Sequence, residues 1–222
     1  MTKIILALII AVISADVTAS NCPQFYPNNE PIVVPGTIEL CNTFYVVVYD
    51  PKIKAPLFSS ARMSGGKSDV ERVNAFKSDA RLDKSIRAET TDYKGTGFDK
   101  GHLTPAGAAK NQAHMFNTFL MSNMVPQIPE FNRGSWRQLE INTLESIPTD
   151  SDTIVLTGAI YRAKATDTLT TIGDNIPVPI SMYKLVYTPK PIAWYSENSA
   201  KPFVREIQFK QIRKLSGIKF PM

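Results

Sequence analysis

The sequence has 222 residues with a formal net charge of +5; 43% of them are hydrophobic and 9% aromatic. That length can bury a sizeable core and favours one domain, and the ordinary apolar content excludes a disordered or fibrous chain. The basic balance suits a polyanionic partner without identifying one, since many basic proteins bind no nucleic acid.

Residues 1–19 carry a basic Lys3, an apolar run from Ile4 to Ile13 and small residues at the end, the layout of a secretory signal with Val17-Thr18-Ala19 as its cleavage site and Ala15 as a second. So short an apolar run hardly crosses a bilayer, which favours cleavage over a membrane anchor. A lipid anchor on Cys22 is disfavoured by Asn21, where such a motif needs a small residue. Cys22 and Cys41 are the only cysteines, and in an exported chain a single close pair most simply forms a disulfide. No histidine lies near them in sequence, which argues against zinc.

The segment 21–40, rich in Pro and Asn, reads as an irregular arm pinned by that disulfide. Thr43 to Tyr49, TFYVVVY, reads as a central strand ended by Asp50-Pro51, and Pro56 to Met63 as its hairpin partner. The glycines of Ser64-Gly65-Gly66-Lys67-Ser68 lack the spacing and the strand-to-helix context of a phosphate loop. A polar stretch from Asp69 to Thr91 follows. A turn flanked by Gly95, Gly97 and Gly101 then carries Asp99, Lys100 and His102. Next come a helix-like run from Ala106 to Phe119, an apolar segment from Phe119 to Val125 stopped by Pro126, and a second helix with Asn132 near its start and Trp136, Leu139, Ile141 and Leu144 behind it. Thr153 to Ile160 reads as a buried strand, and Val178 to Tyr187 with Ile192 to Tyr195 as a strand pair turned at Thr188-Pro189-Lys190-Pro191. A basic helix is expected from Lys201 onward.

The stretch from Thr96 to Glu140 is where chemistry concentrates. Asp99-Lys100-Gly101-His102, with Ser122-Asn123-Met124-Val125-Pro126-Gln127, Phe131-Asn132 and Trp136-Arg137-Gln138-Leu139-Glu140 in the same order, resembles the DNA/RNA non-specific endonucleases with a ββα-metal site. The resemblance is tight over residues 85–145 and looser over 43–79 and 152–198. It implies an α+β fold, a ββα-metal (His-Me finger) nuclease with a central, mostly antiparallel sheet and packed helices. It also implies Mg²⁺ as cofactor, with Mn²⁺ as the alternative ion, and DNA and RNA as substrates.

Within that resemblance each residue has a role and a bland alternative. His102 is the candidate general base, because a neutral imidazole accepts a water proton at working pH; otherwise it is a turn histidine bonded to backbone. His114, outside the signature, is a surface or packing residue. Asn132 is the candidate metal ligand through its amide oxygen; otherwise it caps a helix. Glu140, two turns on if the helix is continuous, would hold metal-bound waters; otherwise it pairs with Arg137 on the surface. Lys100, Arg72, Asn123 and Arg133 are the candidate substrate contacts, Asn123 by ordering the strand beneath the site. The family's usual arginine ahead of Phe76-Lys77-Ser78-Asp79 falls on Asn74, with Arg72 two residues earlier as its replacement or as a solvated cation. Lys100 stands where the signature has arginine, which loses the planar fork, and Leu144 where secreted members carry another arginine.

The expected protein is thus a 20–222 nuclease domain, secreted or periplasmic after cleavage, with no stable membrane association. A homodimer is compatible with it. One rival reading is a nucleic-acid-binding protein on the same fold, catalytically impaired by Lys100; a second is an intracellular nuclease that retains residues 1–19 as an anchor or organelle signal.

Overall fold

A computed structural model of the chain describes residues 20–66, 68–150, 152–162 and 168–221; the leader expected over 1–19 lies outside them. Seven antiparallel strands form the main sheet: β1 (Ile38–Cys41), β2 (Tyr45–Asp50), β3 (Ala55–Ser64), β6 (Asp152–Ile160), β9 (Ser181–Tyr187), β10 (Ile192–Glu197) and β11 (Arg205–Ile207), in that spatial order. Outside it lie the ribbon of β4 (Asp99–His102) with β5 (Met124–Gln127) and a small pair, β7 (Thr171–Ile172) with β8 (Ile176–Pro177). The helices are α1 (Gln112–Thr118), α2 (Pro129–Arg133), α3 (Ser135–Ser146) and α4 (Phe209–Ser216). This is the expected α+β architecture, and no described helix is long and apolar enough to cross a membrane.

The Tyr-Val-Val-Val-Tyr run does not alternate polar with apolar because both faces of the sheet are covered. Val46 and Val48 pack with Phe25, Tyr26, Ile212 and Phe220 on one side, while Tyr45, Val47 and Tyr49 pack with Met63, Leu144 and Ile147 on the other. Each such side chain contributes about 1.5–3 kcal/mol when fully buried. Two-sided burial made β2 read as central. It is second from an edge, beside β1, and the middle strand is β6. The arm over 21–40 is less irregular than expected: it ends in β1, and the Cys22–Cys41 disulfide joins it there with the two Cα atoms 6.0 Å apart.

Three other boundaries moved. Residues 106–108 form a 3₁₀ turn, and α1 begins only after Asn111, whose side chain accepts a hydrogen bond from the His114 N–H. Pro126 lies inside β5, opposite Lys100; a two-stranded ribbon has free edges on which a missing N–H costs little. The C-terminal segment first adds β11 to the sheet edge, and the helix waits until Phe209.

Candidate active site

The β4–β5 ribbon and the two helices after it make a β-β-α unit on the Leu144 face of the sheet, away from the disulfide arm. Ribbon register is fixed from Asp99↔Gln127 to His102↔Met124. Gly101 has no alternative there, because a Cβ would overlap the buried side chain of Gln127. Below the ribbon, Asn123 is fully buried: its Oδ1 accepts from the Thr104 N–H at 3.0 Å, and its Nδ2 donates to Thr104 O and Thr118 O, both at 2.9 Å. Its amide is thus spent on backbone just past His102. That corrects its expected place among the substrate contacts, while agreeing with a role in ordering the strand beneath them.

Gly134 (φ −98, ψ −118) breaks the expected second helix into α2 and α3, so Asn132 lies in the last turn of α2 and Glu140 in the middle of α3. Two turns of one continuous helix do not set their relation; the packing of the two helices does. Asn132 is also no N-cap, since Ile128 and Gly134 hold those positions. Asn198 secures the start of α2, its Oδ1 accepting from the Ile128 N–H at 2.9 Å while its Nδ2 donates to Pro126 O and Pro179 O.

A cleft of about 660 Å³ gathers Arg72, Lys100, His102, Asn132, Arg133 and Glu140, together with Asn74, Asp99 and Arg137. Of the substrate and catalytic candidates, only Asn123 stays outside it. The His102 ring meets Phe119 edge-on, centroids 4.8 Å apart, with Phe76 at 5.9 Å. Its Nε2 is buried without a partner, and its side chain makes no hydrogen bond among the described residues. Burial, reinforced by the nearby Arg72 charge, holds the imidazole down to about 3. In the empty cleft His102 is therefore neutral, and the burial that keeps it so also makes it a weak base there. His114 behaves as a packing residue, stacked on Phe44 at 4.5 Å.

Asp99 fixes the orientation of two neighbouring cleft residues. Its Oδ2 accepts from Asn132 Nδ2 at 2.9 Å and from Arg133 Nε at 2.8 Å, and its Oδ1 accepts from Arg133 Nη2 at 2.6 Å. Anchoring the amide nitrogen fixes which way Asn132 points and leaves its Oδ1 with no protein donor among the described residues. A hard neutral oxygen held in this way fits a Mg²⁺-type ion, which keeps most of its waters and needs few protein ligands. Although Asp99 is partly buried, these hydrogen bonds and the Arg133 and Lys100 charges keep its carboxyl below the usual range.

Arg72 is exposed, its Nε bonded to Asn74 Oδ1 at 3.0 Å and its guanidinium over the Phe119 ring at 5.4 Å. That stacking holds the exposed guanidinium at the cleft. Lys100 lies 5.3 Å from the Phe76 ring and 5.5 Å from that of Tyr93. Burial pushes the Glu140 carboxyl up, against the opposing pull of Lys184, Arg72 and Arg137. Nothing in the sequence marks Lys184, an isolated cation in an apolar strand.

The chain matches the model of the DNA/RNA non-specific endonuclease family over residues 28–221. It belongs to that family. Membership makes it a hydrolase acting on nucleic acids, in agreement with the cleft. Nuclease C1 of Cunninghamella echinulata var. echinulata is 32% identical over 182 residues, 74% of this chain and 72% of that protein. Mitochondrial endonuclease G of Bos taurus is 31% identical over 69% of this chain, and the human mitochondrial nuclease EXOG 30% identical over 83% of it. The chain spans only 55% and 57% of those two mitochondrial relatives. A crystal structure of EndoG with EndoGI shares the fold, with a TM-score of 0.77 at 24% identity over 91% of this chain and 92% of that one.

Proposed function

We propose that this member of the family is an exported, Mg²⁺-dependent endonuclease that cleaves DNA and RNA and leaves 5′-phosphate ends. One observation carries the reading: a neutral imidazole without a hydrogen-bond partner among the described residues and an asparagine amide with its nitrogen tied back line the same cationic cleft. His102 removes a proton from the water that attacks phosphorus. Asn132 would be the protein ligand of a divalent ion, and Glu140, lining the same cleft, would hold water beside it. A bound divalent ion supplies charge neutralisation at the phosphate and an acidic water for the departing 3′ oxygen. Arg72, Lys100, Arg133 and Arg137 grip the backbone. Arg133 is already paired to Asp99, which points its guanidinium before substrate arrives. Backbone contacts of this kind ignore base identity and the 2′-hydroxyl.

Export rests on the leader-like residues 1–19 and on the Cys22–Cys41 disulfide, a bond that persists in oxidising compartments. Cleavage after Ala19 would leave residues 20–222 as one nuclease domain. N-terminal sequencing of the exported protein should begin at Ser20, and an intact Met1 would overturn secretion.

The decisive experiment incubates the purified mature protein with plasmid DNA and with RNA, in Mg²⁺, in Mn²⁺ and in EDTA. Cleavage of both with the ions only, lost by orders of magnitude in His102→Ala while binding survives, is the expected result. Equal inactivity of wild type and variant with binding intact would replace the enzyme by a nucleic-acid-binding protein.

A further inference from the structure

Lys184 is the most deeply buried cation in the described structure, with 1% of its surface exposed. It lies in β9, opposite Thr157 of β6 and Trp194 of β10. Its Nζ donates to Thr157 Oγ1 at 2.5 Å and lies 5.4 Å from the centroid of the Trp136 ring. Among the described residues no carboxylate comes within the 4.0 Å of an ion pair. A hydroxyl and an aromatic face are thin compensation for an ammonium removed from water.

The charge that answers it is Glu140. Trp136 and Glu140 are one helical turn apart on α3, so the indole covering the ammonium and the carboxylate share a helix face. Lys184 is the strongest charged influence on Glu140, ahead of Arg72 from the loop before β4 and Arg137 from α3 itself, and Glu140 is the one charged group acting on Lys184. Glu140 accepts no hydrogen bond from the described residues, and it lines the cleft.

We propose that Lys184 is a positioning residue of the active site: held beneath α3 by Thr157 and Trp136, it sets a positive charge behind Glu140 and holds that side chain facing the cleft, while leaving its oxygens free for water. The inference deepens the nuclease reading and rests on it. A direct ion pair would consume the lone pairs that must orient water. An ammonium held back by Thr157 and Trp136 supplies the charge without occupying them.

The test is a double-substitution cycle on wild type, Lys184→Met, Glu140→Gln and the double variant, read in two ways. In EDTA, without substrate, urea midpoints report the pair itself. Glu140→Gln should lower the midpoint in wild type, where it strands the ammonium, and should lower it little or not at all once Lys184 is Met. In Mg²⁺, Lys184→Met should lower kcat about 10–100-fold with KM nearly unchanged, and should cost nothing further in the Glu140→Gln background. If Lys184→Met does not fold, Thr157→Val removes the anchor instead and should lower kcat in the same Glu140-dependent way. Additive effects in both readouts would overturn the proposal, as would an equal kcat loss with and without Glu140. Coupled midpoints in a chain with no nuclease activity would discard the functional reading and keep the buried pair.

Discussion

His102→Gln tests the desolvation that keeps His102 neutral in the empty cleft. In the folded protein burial and the Arg72 charge hold the imidazole near 3, against an ordinary 6.5. Above pH 6.5 neither the folded nor the unfolded form carries the proton, and His102 has no pH-dependent effect on stability. Between 6.5 and 3 the unfolded chain binds a proton that the folded one refuses, so stability falls as pH falls. Each pKa unit is worth about 1.4 kcal/mol, so from pH 7 to 4.5 wild type should lose up to about 2.7 kcal/mol more than His102→Gln. The ring keeps some contact with the wet cleft, which screens the charge and brings the expectation nearer 2 kcal/mol. Urea unfolding of both proteins in EDTA at pH 7, 6, 5 and 4.5 measures the difference, with His114 and the carboxylates common to both. Curves that stay parallel to within about 0.5 kcal/mol down to pH 4.5 would mean an ordinary imidazole, and the argument for a ring kept neutral by burial would fail.

Asp99→Ala should free the Asn132 amide to rotate and weaken metal binding about 10–100-fold, measured by calorimetric titration with Mg²⁺ or Mn²⁺; unchanged affinity would remove Asn132 as the ligand that Asp99 orients. Gly101→Ala should force Gln127 aside at the centre of the ribbon and cost about 1–3 kcal/mol, with loss of activity because His102 is the next residue. The paired substitution Cys22→Ser, Cys41→Ser should lower stability by about 3 kcal/mol in denaturant and leave kcat unchanged, since the arm packs on the opposite face from the cleft.

Much of the site could be read along the chain. Asp99, Lys100 and His102 occupy one short strand, and Asn132 and Glu140 follow in fixed order, because a ββα unit brings its cleft-lining groups together through local connections. The same holds for the β2–β3 and β9–β10 hairpins, whose β-branched runs and turn residues are properties of neighbouring positions. The break at Gly134 was not legible: a helical pattern tolerates a glycine, and only the close approach of α2 and α3 shows the chain turning there. Nor was the place of β2, since a strand covered on both faces by an arm and a helix has the sequence of a central one.

The sequence by itself determined which side chains the cleft would gather, because an imidazole, a hard amide oxygen and a carboxylate are matters of side-chain identity and order. Tertiary structure alone decided their state. Burial against Phe76 and Phe119 keeps His102 unprotonated, Asp99 turns Asn132, Arg72 is folded back from a distant loop, and Lys184 acts on Glu140 from β9 beneath α3. Desolvation and charge pairing act through space between residues far apart in the chain, so no local pattern of amino acids records them.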